Sequence, residues 1–428
     1  MAAPAAPIAA PRAVRLAAGP IALAGIVAAG LAICLSAAAA PSGLIPASWR
    51  GMPGWLAGPL PGVGDGLSGG EFAPLFLLMC ACYLVALTVR LEARAAVGAI
   101  VALHVLFLLA PPLLSSDVFG YVDWARLGTL HGLNPYSHGS LAAPHDPAFQ
   151  YFRWRTEMPS PYGPVFTLAS YATAPLGVAG ALWAFKAACA AASLGCVALV
   201  ASCARRLSTD PLRAAVFVGL NPLVLVWAVG GAHNDLIATV VVLGGVRLVV
   251  DGRERAAGAV LALATAVKAS AGVVLPYALA GARRRGRALV GVAVAAVGTL
   301  VVAIAVFGTD LTGVIDANRD QQNLVARTSI PNRLGELLGA GGATPAIRAV
   351  GLAVLVAALA WTLVRAWRGA DWIAAAGWGT LALLACSAWL MPWYVVWLLP
   401  LAAIGRDRRL SAAALALCAY LVVMRTPF

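Results

Sequence analysis

Apolar runs follow one another along nearly the whole chain, and the short stretches between them are rich in arginine. This pattern restricts the fold more than any motif does. Hydrophobic residues fill 61% of the 428 positions and charged residues 11%, with a mean hydropathy of +0.87, so lipid, not water, must be the main solvent of this fold. A hydrocarbon core needs about 20 apolar residues per helix, and fewer where helices are short or kinked. Thirteen runs can be drawn, at about 16–40, 72–89, 95–112, 180–204, 213–229, 236–250, 256–268, 270–282, 288–307, 346–364, 373–389, 393–404 and 410–424. The expectation is an all-α polytopic membrane protein of about 13 transmembrane helices, forming one domain over 1–428.

The net charge of +13 does not point to nucleic acid, because the basic residues are grouped between apolar runs and not along one face. Alternating the spans from a cytoplasmic N-terminus places Arg90/Arg94, Arg205/Arg206/Arg213, Arg253/Arg255, Arg283/Arg284/Arg285/Arg287, Arg365/Arg368 and Arg406/Arg408/Arg409 on one side. The excess of positive charge marks that side as cytoplasmic. Two long polar stretches, about 113–163 and 308–345, then face outward together, with room for short interfacial helices. The first run follows Arg12 and Arg15 and precedes small residues, as in a signal peptide, but its length favours a retained anchor. All eight cysteines lie in apolar runs without the spacing or histidine partners of a zinc site. No cofactor is expected; an acid in the first polar stretch could use a divalent cation, yet no ligand cluster argues for one.

Runs broken at Lys268 and at Pro392, and the short segment 164–178, are too brief to cross a bilayer unaided. Broken helices are tolerated where they line a protein cavity, here one expected to open outward.

The first outer stretch opens Ser115-Ser116-Asp117-Val118-Phe119-Gly120-Tyr121. Asp117 stands at the membrane surface, where a carboxylate can take a proton from a sugar hydroxyl. Its alternative role is to cap the helix that follows. Asp123, six residues on, is turned by about 600° on a helix and is expected to face away, beside Arg126 on a wet surface. The segments Gly132-Leu133-Asn134-Pro135-Tyr136 and Ser160-Pro161-Tyr162-Gly163-Pro164 read as ordered turns. Trp124, Tyr136, Trp154 and Tyr162 offer stacking faces for a sugar, or belt anchors at an interface. Asn221-Pro222 and then Gly231-Ala232-His233-Asn234-Asp235 put a polar cluster at helix ends, suited to a phosphate or sugar hydroxyls, or else to a helix stop and cap. Lys268 between two apolar half-helices needs an anion, and a lipid phosphate would serve. Arg319, Arg327 and Arg333 of the second stretch supply guanidinium forks for phosphate, or ordinary surface charge.

The ordered series Ser116-Asp117-Val118 with Tyr121, Asn134-Pro135-Tyr136, Pro161-Tyr162-Gly163-Pro164, Asn221-Pro222, His233-Asn234-Asp235 and Pro392-Trp393-Tyr394 resembles the actinobacterial polyprenol-phosphate-mannose-dependent alpha-1,6-mannosyltransferases, which have the GT-C fold. The likeness runs from about residue 110 to 400. It implies a plasma-membrane enzyme that takes a sugar, mannose by default, from a polyprenyl-phosphate donor on the outer leaflet and passes it to a glycolipid or glycan acceptor. Asp117 matches the family's first-loop acid, implying the base in an inverting displacement. Lys268 with one of the three arginines, and His233, would steady the departing phosphate. The remaining implied contacts are Tyr121, Asn134, Tyr136, Tyr162, Asn234, Asp235, Trp393 and Tyr394. A transporter or flippase, or a lipid-linked glycan ligase or polymerase, would share several of these features.

Overall fold

The computed structural model describes residues 12–152 and 157–426, with side chains from residue 18 onward. Trp154 and the Ala/Pro-rich first eleven residues lie outside that range. Every regular element among the described residues is helical, as expected. Among the described residues, five helical stretches are long and apolar enough to cross a bilayer: Ala18–Ala39, Gly69–Thr88, Pro164–Arg206, Arg285–Asn323 and Pro345–Trp367. A sixth crossing arises if Pro211–Gly219 and Leu223–Val229, bent by 51°, form one span. Shorter apolar helices accompany them: Ala93–Leu109, Ala269–Gly281, Trp372–Cys386 and Pro392–Ile404. The chain is a multi-pass membrane protein.

Side-chain exposure agrees with lipid as the solvent. On the helix Arg285–Phe307, Val294 is 68% exposed and Val301 62%, and the helix Pro345–Trp367 presents Val350, Leu352 and Val356 in the same way. Valine and leucine left outward at this density are stable against acyl chains and not against water.

The breaks have local causes. After Pro211–Gly219 the Asn221 carboxamide accepts hydrogen bonds from the backbone N–H groups of Leu223 (3.0 Å) and Val224 (3.4 Å). It thereby caps a new helix whose backbone donor is already missing at Pro222. That new segment, Leu223–Val229, is a π-helix, a rare form concentrated at functional sites. Asn221 thus sits at a bend one helical segment away from Gly230–Asp235, and does not join that polar cluster at a helix end as expected from sequence. The expected breaks at Lys268 and Pro392 are both present. The helix Glu254–Val267 stops at Lys268, which is extended (φ −154°, ψ 126°), before a 3-10 turn Ala269–Val274. Trp372–Cys386 stops before the 3-10 turn Pro392–Tyr394.

A further segment between apolar runs, the Gly/Pro-rich 40–68, was not among the expected outer stretches. It is fastened to the rest by Trp49 Nε1 donating to the Gln150 carbonyl (2.7 Å) and Trp183 Nε1 donating to the Trp55 carbonyl (2.8 Å).

Candidate active site

Two helix beginnings converge on the site. Asp117 and Asp235 are the first residues of the helices Asp117–Leu130 and Asp235–Val250, where the positive end of the helix dipole favours a carboxylate. The residues before them, Ser116 and Asn234, occupy the cap positions without side-chain capping bonds. Asp117 is therefore not the cap, and its side chain is 38% exposed at the mouth of the cluster.

Behind it, His233, Asn234 and Asp235 are buried. His233 Nδ1 lies 3.7 Å from Asp117 Oδ2, beyond hydrogen-bonding distance. Its ring is stacked on Trp393 at 3.6 Å between centroids and 14° between planes. Burial, with the Lys268 charge adding to it, holds the His233 imidazole well below its usual range, so it is neutral. Asp235 Oδ1 accepts from Lys268 Nζ (2.7 Å) and from Trp397 Nε1 (2.8 Å). Lys268 Nζ also donates to Asn234 Oδ1 (3.3 Å), and the rings of Tyr162, Tyr394 and Trp397 stand 5.4–5.6 Å from it. The anion expected for Lys268 is thus supplied within the chain, and the aromatic rings add cation–π attraction.

Tyr121 lies one turn below Asp117, and its hydroxyl oxygen accepts from the Asn234 backbone N–H (3.3 Å), tying the two helix beginnings together. Tyr162 packs edge-on against Tyr121 and Trp124. The Pro-Tyr-Gly-Pro sequence has a direct reason. Gly163 donates its N–H to the Val267 carbonyl (3.1 Å), and a Cβ there would run into the Ala266 carbonyl, so only glycine lets Tyr162 come this close to Lys268.

Other expected residues are elsewhere. Asn134 donates to the Phe307 carbonyl (2.7 Å) and Tyr136 donates to the Tyr162 carbonyl (2.9 Å), so both hold the 131–163 loop in place and neither bonds to the cluster's His233, Asn234, Asp235 or Lys268. Arg319, Arg327 and Arg333 are exposed; Arg319 pairs with Asp316 (3.1 Å) and Arg333 with Glu336. Asp123 is buried, contrary to expectation, and Arg126 turns instead to Asp146 (2.8 Å), twenty residues on. Burial first, then the nearby Asp146 charge, pushes the Asp123 carboxyl well above the carboxylate range, with Arg126 opposing.

Sequence reasoning missed Trp397 and Lys186. The chain contains two lysines among its thirty basic residues, and both bracket the Gly230–Asp235 turn. A lone lysine inside an apolar run was a visible signal, since ionisable residues at membrane depth are costly and rarely idle.

Several buried polar atoms of the cluster make no hydrogen bond to the chain: both ring nitrogens of His233, Asn234 Nδ2 and Asp235 Oδ2. Buried polar groups are otherwise nearly always satisfied, and here four unsatisfied polar atoms are concentrated beside a part-exposed carboxylate. Nearby, a cleft of about 430 Å³ is lined by Pro161, Gly163, Ala269, Asn318 and Arg319 among others. Sharing Pro164 with it is an apolar cleft of about 440 Å³ that includes Leu168, Leu263, Val302 and Phe307.

Residues 22–284 match the family described as alpha-(1->6)-mannopyranosyltransferase, N-terminal domain, and residues 330–428 match an MptB C-terminal domain. The chain belongs to the alpha-(1->6)-mannopyranosyltransferase family. It is 28% identical over 351 residues to alpha-(1->6)-mannopyranosyltransferase A of Mycobacterium tuberculosis, covering 75% of this chain and 67% of that relative. It is 27% identical over 344 residues to alpha-(1->6)-mannopyranosyltransferase B of Corynebacterium glutamicum, covering 69% of this chain and 56% of the relative. The family's two matched parts meet at the cluster, since Lys268 comes from the first and Trp393, Tyr394 and Trp397 from the second. No solved structure matches the chain.

Proposed function

We propose that this member of the family is an inverting mannosyltransferase, with a polyprenyl-phosphate mannose as donor and a glycolipid or glycan as acceptor, working on the outer face of the plasma membrane with the N-terminus in the cytoplasm. One observation carries the reading: a part-exposed carboxylate, Asp117, stands beside unsatisfied buried donors and acceptors in an otherwise apolar bundle, groups suited to sugar hydroxyls and phosphate oxygens. The arginine clusters at the opposite loops support the orientation. The relatives' names support mannose.

In the reaction the acceptor hydroxyl oxygen attacks the anomeric carbon and its proton passes to Asp117. The bond from that carbon to the phosphate oxygen breaks, and polyprenyl phosphate leaves. Of three ammonium N–H groups on Lys268, Asp235 and Asn234 take two, leaving one for a phosphate oxygen. Neutral His233 donates from one nitrogen and accepts at the other, suited to sugar hydroxyls. The apolar cleft beside Pro164 takes the start of the lipid tail. Charge stabilisation at the leaving phosphate is the largest rate term in this scheme. The two matched parts act as one transmembrane unit, because neither holds the whole cluster.

The test is transfer from radiolabelled polyprenyl-phosphate mannose by purified protein in nanodiscs with a lipid acceptor extract, comparing wild type with a folded Asp117→Asn variant. Mannosylated product from wild type and almost none from the variant is expected. Equal transfer by both removes Asp117 as the base. Movement of intact donor across the bilayer without product marks a flippase instead.

A further inference from the structure

Lys186 lies in the helix Gly177–Arg206, fully buried. Neither of its hydrogen bonds goes to a carboxylate. Its ammonium donates to two backbone carbonyls, Phe107 at 3.0 Å and Gly230 at 3.1 Å. Both belong to helix ends: Phe107 to the last turn of Ala93–Leu109, and Gly230 to the position just after the π-helix Leu223–Val229. Terminal carbonyls of helices lack intrahelical partners and carry the negative end of the dipole, so two of them together can hold an ammonium without an acid.

The Gly230 carbonyl is also the acceptor for the Leu113 backbone N–H (3.1 Å). Leu113 begins the segment that delivers Asp117, and Gly230 begins the turn that delivers His233. Each segment passes through a non-glycine residue in the left-handed region, Leu114 (φ 63°) and Ala232 (φ 56°). Such conformations cost of order 1–3 kcal/mol and persist only where neighbours hold them. One turn along the same helix, Cys189 Sγ contacts the His233 carbonyl (3.4 Å), so the helix grips the turn at two points. The other lysine, Lys268, fixes the far end of the turn through Asn234 and Asp235.

We propose that Lys186 is a positioning residue: by drawing the Phe107 and Gly230 carbonyls together it sets the separation of Asp117 from His233. It touches no reacting atom. The inference rests on the proposed roles of those two residues, but its geometric content can be read without activity.

The test uses purified full-length protein in nanodiscs, with Lys186→Met and Lys186→Arg, the latter keeping buried donors. Backbone hydrogen exchange is followed in peptides spanning 111–118 and 228–236, together with mannosyl transfer kinetics and melting temperature. In Lys186→Met both peptides lose protection while the outer loop 131–150 keeps it. Its kcat falls by about 100-fold, the scale of a small misplacement of reacting groups, with donor KM within about two-fold. Lys186→Arg recovers part of both. Wild-type exchange in the two peptides overturns the proposal, as does loss of protection across the whole chain with a collapsed melting temperature, which would make Lys186 a general stability residue. If wild type transfers no mannose yet the two peptides respond as described, the positioning stands and the assigned reaction falls.

Discussion

Lys268 Nζ is 2.7 Å from Asp235 Oδ1, with the aspartate side chain 1% exposed and the lysine 14%. Such a pair is fixed by mutual need: each charge compensates the desolvation of the other, and removing one strands its partner. Lys268→Met or Asp235→Leu alone is expected to destabilise by about 3–5 kcal/mol. The double variant, which strands neither charge, should recover much of that loss. A thermal unfolding series in detergent checks this. If transfer stays absent in the double variant after stability returns, the pair serves the reaction and not only the fold; recovery of both would confine it to packing.

Asp117 and His233 face one another at 3.7 Å, near enough to act on one hydroxyl. Asp117→Asn should lower kcat by about 10²–10⁴-fold, the usual worth of a positioned base. His233→Ala should lower it less. In the proposed arrangement His233 orients the same hydroxyl that Asp117 deprotonates, so the double variant should be scarcely slower than Asp117→Asn alone. Multiplicative losses in that cycle would mean that the two residues work independently.

The sequence made the membrane bundle legible because its cause is local: apolar runs, and arginines between them. The breaks at Lys268 and Pro392 were legible for the same reason, a charge or a proline inside an apolar run. Pairings decided by tertiary packing were not. Lys268 and Asp235 are 33 residues apart, and nothing in either segment announces the other. Arg126 lies three residues from Asp123, a spacing that suggests a helical pair, yet a buried guanidinium goes to the best acceptor in reach, and that is Asp146. Asp117, Tyr121, Tyr162, His233–Asp235, Lys268, Trp393 and Tyr394 do assemble, whereas Asn134 and Tyr136 look alike in sequence but are used for loop anchoring.

The three arginines of the 308–345 segment provide a contrast. Arg319 and Arg333 already pair with acids three residues away, and their side chains are 71% and 46% exposed. Exposed pairs contribute about 0–1 kcal/mol. Arg319→Ala and Arg333→Ala are therefore expected to change kcat/KM for transfer by less than about five-fold. A loss beyond that in either variant, at unchanged melting temperature, would bring that guanidinium into the phosphate site, through a rearrangement of the 313–337 segment on donor binding.

Asp146 makes the 131–152 loop sensitive to acid. Burial acts to raise its carboxyl, but hydrogen bonds from Arg126 and His131 and from the Ala148 N–H outweigh it, so the group stays below its usual range. A carboxylate with a lowered value in the folded state binds protons more readily when the loop opens. Its stabilisation is therefore complete above about pH 4 and is lost as the pH falls through the lowered folded value. The neighbouring Asp123, held protonated by burial, adds no charge to oppose this. Limited proteolysis between residues 131 and 152 should accordingly accelerate below about pH 4 in wild type. In Asp146→Asn the segment should be cut readily at neutral pH, because Arg126 is left buried without its anion, and the acid dependence should flatten. An acid profile unchanged by Asp146→Asn would assign the loop's pH response to another group.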